Sequence, residues 1–235
     1  VSRTSRLEII HSLRERLQQL ERSDRPARTA GLATGSALDR LLPGWSAGTL
    51  IEWLGAGDGS GAATLALAVS AELLRHGGAL VVIDGEREFY PPAVAGPGME
   101  RLVVIQPRDA SDGLWATEQA LRSRAVAVTL ARVGRGNDRV FRRLQLAAEA
   151  GGGPGFLLRP TSCRAEPPRA GARLWVEAAP ETRPASGWRL RVLVLHRRGG
   201  AAGEAAEVEL SHEARLVPAS APLARPALPP RAAGA

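Results

Sequence analysis

Lysine is absent from this 235-residue chain; all 31 of its basic residues are arginine. That absence excludes Schiff-base chemistry and any phosphate site that depends on a lysine ammonium, since guanidinium is a poor substitute in either role. Cysteine occurs once, at Cys163, which excludes a disulfide framework and any zinc site built from several thiolates. With no histidine near it, this single thiol has no catalytic partner in the sequence. The four histidines, at positions 11, 76, 196 and 212, show no ligand spacing and support no Ser-His-Asp arrangement. A metal site is therefore not expected. No run of about 18 apolar residues occurs, so no membrane-spanning helix is predicted. The N-terminus carries no signal-peptide apolar region, and a cytoplasmic location is the expectation.

What is present reads as an α/β domain. A hydrophobic fraction of 44% and a charged fraction of 23% suit a globular chain. Ile10, Leu13, Leu17 and Leu20 share one face of a predicted N-terminal amphipathic helix over residues 1–28. From Thr49 onward, short apolar runs alternate with helical patterns. Strands are predicted at 49–54, 79–84, 102–105, 125–133 and 155–159, and helices at 62–75, from Asp112 to about 124, and at 137–150. Continuous rather than alternating hydrophobicity marks strands covered on both faces, hence a mostly parallel sheet. After Pro160 the pattern changes. Residues 172–177, 188–196 and 207–210 read as an antiparallel extension, with Trp188, Leu190, Val192 and Val194 on one face of the middle strand. The domain is expected to span 29–217, and the Pro/Ala-rich remainder, 218–235, is too poor in large apolar residues to fold alone.

The turn Gly55-Ala-Gly-Asp-Gly-Ser-Gly-Ala-Ala-Thr64 joins a buried strand to a helix, where a phosphate-binding loop belongs. Gly55, Gly57, Gly59, Ser60 and Gly61 keep the shape of such a loop. A working P-loop continues with Lys and Ser/Thr, the first neutralising the β- and γ-phosphates and the second holding magnesium. Ala62 and Ala63 stand there instead, and Thr64 comes one position late. The expectation is a degenerate loop with no nucleotide cofactor and no ATP hydrolysis, weak ATP binding being the alternative.

The run TGSALDRLLPGWSAGTLIEWLGAGDGSGAATLAL, residues 34–67, resembles the start of a RecA-type recombinase core. Val82-Ile-Asp-Gly-Glu86 is similar to the strand with which that family presents a water-polarising carboxylate, and 102–107 to the strand after it. The order of these blocks implies a RecA-like P-loop fold over about 30–160. The family's metal-organising aspartate corresponds to Thr129, and Glu86 alone would be vestigial. Within the superfamily, the short length, the degenerate loop, the stretch LQLAAEAGGGPGFLLRP and the Trp188–Gly200 strand and turn most resemble the ImuA family of RecA-like accessory proteins. That resemblance implies a non-catalytic role in SOS-induced translesion synthesis. It implies as partners an ImuB-type Y-family polymerase homologue and an error-prone DnaE-type polymerase. The alternatives are a DNA-stimulated ATPase with an atypical loop and a SulA-like cell-division inhibitor.

Positive charge concentrates late in this region. Between Arg132 and Arg173 there are nine arginines and only three carboxylates, in a chain of net charge +7. The two loops there, 133–137 and 160–171, correspond to those lining the DNA path in RecA-like proteins. Arg132, Arg135, Arg139, Arg164 and Arg169 are the predicted phosphate contacts. No aromatic residue lies in either loop to stack on a base.

Overall fold

The computed structural model describes residues 33–42, 45, 48–57, 59–91, 99–179 and 187–218. The predicted N-terminal helix and nearly all of the Pro/Ala-rich segment lie outside these residues. The described chain forms one eight-stranded sheet. Its strands are β1 (Leu50–Gly55), β2 (Ala79–Ile83), β3 (Leu102–Ile105), β4 (Val126–Arg132), β5 (Gly155–Arg159), β6 (Ala172–Ala178), β7 (Gly187–Arg197) and β8 (Ala205–Ser211). They lie in the order β3-β2-β4-β5-β1-β6-β7-β8. The first six run parallel, and β6 is the hinge of the topology, parallel to β1 and antiparallel to β7. The antiparallel extension therefore begins one strand later than the alternation after Pro160 suggests.

Helices cover both faces of the parallel half. A short α1 (Leu38–Leu41) and α2 (Ala62–Leu74) lie on one face with Trp53, Leu80, Val82, Leu130 and Phe156. On the other, α3 (Ala110–Arg122) and α4 (Asp138–Gly151) pack with Val81, Ile83, Ala131 and Leu157. This two-sided burial explains the unbroken apolar run of β2 and the mostly apolar β1 and β4. The helix starts follow local chemistry. Helix α3 starts two residues before the predicted Asp112, capped by Asp109, whose carboxylate accepts from the Asp112 amide at 2.8 Å. Asn137 caps α4 through the Val140 amide at 3.0 Å, and Gly152 ends that helix at φ +81°.

The Thr-Gly-Ser-x-x-Leu-Asp segment also acquires a physical reason. The Asp39 carboxylate accepts from the Thr34 amide (2.9 Å), the Thr34 hydroxyl (2.9 Å), the Gly35 amide (2.8 Å) and the Trp45 indole (3.0 Å). Trp45 in turn stacks on the fully buried Trp53 of β1, with 6.1 Å between ring centroids. One carboxylate thus ties the approach segment to the strand that carries the glycine loop.

Candidate functional site

The buried strand β1 delivers the chain to Gly55 at the carboxyl end of the sheet. There the loop folds tightly on itself, since a Cβ on Gly55 would lie 2.0 Å from the Ser60 hydroxyl oxygen. The Gly55 carbonyl accepts from the Thr161 hydroxyl at 2.9 Å, and the Ala56 amide donates to the Val176 carbonyl at 3.0 Å. Gly61 has φ +83°, and a Cβ there would meet Leu190 of β7 at 2.7 Å, so only glycine fits.

The other two glycines of the predicted loop stand differently. A Cβ on Gly57 or on Gly59 would meet nothing within 4 Å, so no close packing of protein atoms demands glycine at either position. The Gly57 carbonyl closes the turn by accepting from the Ser60 amide at 3.2 Å. Gly59 lies at φ +72°, so its glycine answers to backbone conformation alone. The spacing Gly55, Gly57, Gly59, Gly61 thus reads as one motif in sequence, whereas only its first and last members are fixed by contact with the rest of the fold.

Helix α2 begins at Ala62 with no side-chain cap. Its first-turn amides are thus left for the loop or a ligand, the anion cradle of a phosphate loop. The side chains following Gly61 are the methyl groups of Ala62 and Ala63, and Thr64 is half-buried within the first turn. The two positions after Gly61 thus carry neither a cation nor a hydroxyl.

The acidic side of the site differs from the expectation. Strand β4 runs to Arg132, within the predicted 125–133, so Thr129 stands inside the strand rather than at the end where the family's metal-organising aspartate belongs. Thr129 pairs in register with Gly155, which pairs with Leu50 at the foot of β1. It lies five residues, roughly 17 Å, down the sheet from the loop at Gly55, at about 3.3 Å per residue. It is buried, and its hydroxyl has no hydrogen-bond partner. At the loop end of β4 stands Arg132, whose guanidinium holds Glu86 at 2.9 Å and Glu88 at 3.3 Å. Asp84, at the end of β2, is spent on the turn itself, accepting from the Glu88 and Phe89 amides at 3.0 and 3.2 Å. Glu86 is thus a half-exposed carboxylate neutralised by an arginine.

The arginine-rich region is internally balanced to a degree that linear counting hides. Glu52 of β1 is fully buried and receives Arg173 at 2.6 Å and Arg159 at 3.0 Å, both also buried. Arg159 continues to Glu166 at 2.7 Å, and Arg169 bridges Glu166 (2.9 Å) and Asp138 (2.6 Å). Arg173 also donates to the carbonyls of Glu166 and Pro167. This network straps the 160–171 loop to the sheet and to the start of α4, where the Phe141 ring lies 4.8 Å from the Arg159 guanidinium and Asp138 receives Arg169. Burial pushes the Glu166 carboxyl up. The Arg159 guanidinium, by charge and hydrogen bond, outweighs that with help from the Cys163 thiol and Arg169, and the net position is below the ordinary carboxylate value. For Arg169, the Asp138 hydrogen bond is the main reason its guanidinium is held even more firmly charged than usual. Cys163 itself is buried against Leu54 and Trp175.

Of the five predicted phosphate contacts, Arg132 and Arg169 are therefore engaged with carboxylates. Arg135 reaches one loosely, Glu166 at 3.7 Å, and its side chain is 76% exposed. Arg139 and Arg164 are exposed and form no ion pair with a carboxylate among the described residues, and the same holds for Arg142, which the sequence did not single out. Arg164 lies over the Trp175 ring at 4.0 Å, so the loop has an aromatic support supplied by β6 rather than by its own sequence. The Glu52 network was missed as well. Its signal was one glutamate in TLIEWL and one arginine in each of GFLLR and ARLWV, lone charges inside strands otherwise built for burial. Among the described residues no cluster of three metal-ligating side chains occurs, and no helix is long and apolar enough to cross a membrane.

Comparison with known proteins agrees with this architecture. No family model matches the chain. It is 36% identical to Protein ImuA of Caulobacter vibrioides (strain NA1000 / CB15N) over 95 residues, 39% of each chain. It is 36% identical to Protein RecA of Rhodopirellula baltica over 104 residues, 42% of this chain and 28% of that one. The aligned region thus spans about two fifths of the curated ImuA and about a quarter of RecA. The crystal structure of the RadB recombinase superposes with a TM-score of 0.62 at 18% identity, covering 79% of this chain and 98% of RadB, which establishes the common fold. Sequence and fold together make this chain an ImuA-like member of the RecA superfamily.

Proposed function

We propose that the protein is a non-catalytic accessory factor in SOS-induced translesion DNA synthesis and DNA repair, working through protein partners and DNA contact rather than ATP turnover. The similarity to ImuA supports the biological setting. The partners this setting suggests are an ImuB-type Y-family polymerase homologue and a DnaE-type polymerase. The observation that carries the non-catalytic reading is the loop itself. Its glycine backbone is retained, while Ala62 and Ala63 stand where a phosphate cation and a magnesium ligand are needed. Glu86 has its charge taken up by Arg132, so the one remaining carboxylate of the reaction is engaged elsewhere. DNA contact would use Arg139 and Arg164, whose guanidiniums have no carboxylate partner among the described residues.

Calorimetric titration with ATP and magnesium tests this reading, together with phosphate release measured with and without single-stranded DNA. The expected result is no saturable binding at micromolar ATP and no turnover. Turnover that Glu86→Gln abolishes would replace this reading with an active DNA-stimulated ATPase.

A further inference from the structure

The 160–171 loop has no aromatic residue of its own, yet the sheet lends it one. Arg164 follows the short turn Thr161–Cys163, and its guanidinium carbon lies over the Trp175 ring, 4.0 Å from the centroid. Trp175 is 6% exposed and packs with Leu54 and Cys163, on the opposite side of β6 from Leu174 and Val176. Arg164 itself is exposed. One face of its planar guanidinium is therefore taken by the indole, and the other meets solvent. The carboxylates of the same loop and strand have other partners. Glu166 holds Arg159 and Arg169, while Glu177 accepts the Trp175 indole N–H at 3.2 Å and faces Arg191 at 3.8 Å. The backbone beneath Arg164 is fixed as well. Cys163 is buried, the Arg164 amide donates to the Thr161 carbonyl at 3.0 Å, and the Thr161 hydroxyl donates to the Gly55 carbonyl.

We propose that Arg164, backed by Trp175, is a stacking platform for an unpaired base of single-stranded nucleic acid. A splayed-out base stacks on a guanidinium plane much as it does on an aromatic ring. Here base, guanidinium and indole would form three layers, held by cation–π attraction and by contact between flat faces. The N–H groups at the edge of the guanidinium point outward in its plane, so a backbone phosphate can meet them while the base covers the face. The stack adds to a phosphate contact instead of replacing it. A carboxylate would use the same N–H edge and leave the open face bare, so an acidic protein segment fits less well. Little ordering opposes binding, because the platform exists before the ligand arrives. The assignment rests on the DNA contact proposed above for Arg164, and it adds recognition of the base to that contact.

The test uses the full chain and fluorescence anisotropy with three labelled probes. These are oligothymidylate, an abasic strand of the same length and charge, and polyglutamate of that charge. Oligothymidylate is expected to bind about fivefold more tightly than the abasic strand, the lower end of what one stacked base supplies. Arg164→Lys keeps the charge and removes the plane, at an exposed position where the fold does not depend on it. It should bind the two strands alike, at the wild-type affinity for the abasic one. Trp175→Leu keeps the site apolar, takes away the support and should weaken the same preference. Equal binding of both strands by the wild type, with a salt dependence that still needs Arg139 and Arg164, leaves the phosphate contact standing and overturns the platform. A preference that survives Arg164→Lys overturns it too, since the base would then stack elsewhere. Polyglutamate that binds as tightly as oligothymidylate overturns it in favour of an acidic protein segment. Binding of neither strand at low salt overturns the platform together with the DNA contact on which it rests.

Discussion

Replacing Glu52 by alanine should be among the most damaging single changes available to this fold. Glu52 is fully buried in the middle of β1, and two guanidiniums, 0% and 3% exposed, converge on its two oxygens at 3.0 and 2.6 Å. Removing one partner of a buried ion pair leaves charge uncompensated in low dielectric and costs about 3–5 kcal/mol. Arg159 keeps Glu166, and Arg173 keeps two loop carbonyls, so the lower half of that range is expected. At about 2–4 °C per kcal/mol for a domain of this size, the melting temperature should fall by roughly 6–16 °C. Glu52→Gln preserves shape and one acceptor and should cost less, about 1.5–3 kcal/mol, the worth of a hydrogen bond to a charged group. Replacing all three residues together, Glu52→Leu with Arg159→Met and Arg173→Met, removes the charges as a set and should recover most of the loss. Urea denaturation followed by circular dichroism measures each variant. The midpoint should shift without a change in slope if only stability has changed. A loss below about 1 kcal/mol for Glu52→Ala would mean that water reaches these charges, and the network would then not be the strap of the 160–171 loop.

Two further outcomes follow from the same region. The Glu166 carboxyl titrates below its ordinary value in the folded protein, so its contribution to stability is complete above the unfolded pKa and is lost as pH falls through the folded one. Wild type should therefore exceed Glu166→Gln in stability at neutral pH, and that advantage should shrink as urea midpoints are taken to progressively acid pH; a pH-independent difference would refute it. For DNA, Arg139→Ala with Arg164→Ala should reduce the slope of log affinity against log salt by about 0.7 per lost contact on single strands, whereas Arg132→Ala with Arg169→Ala should leave it unchanged. Anisotropy titrations at several salt concentrations separate the two pairs, and equal slopes for both would show that internal pairing does not decide which arginines meet phosphate.

The sequence alone determined whatever rests on local pattern. Unbroken apolar runs such as ALVVI need cover on both faces, and that requirement already implies a parallel sheet between helices. The glycine spacing between Gly55 and Gly61 and the alanines after it needed no coordinates, because a methyl group cannot neutralise or coordinate anything. Which of those glycines the fold grips did need them, since Gly55 and Gly61 are held by Ser60 and Leu190 while Gly57 and Gly59 have open space. Pairing partners far apart in the chain were another matter. Glu52 meets Arg159 and Arg173 across separations of 107 and 121 residues, and no local rule says that those two arginines turn inward while Arg139 and Arg164 face water. The same limit misplaced Thr129. A run of apolar residues shows that a strand exists, whereas the level at which it meets its neighbours is set by sheet register, and register put Arg132 rather than Thr129 beside Glu86. Charge counted along a chain becomes a binding surface only after folding has withdrawn the groups that neutralise one another, and that subtraction depends on distances in three dimensions.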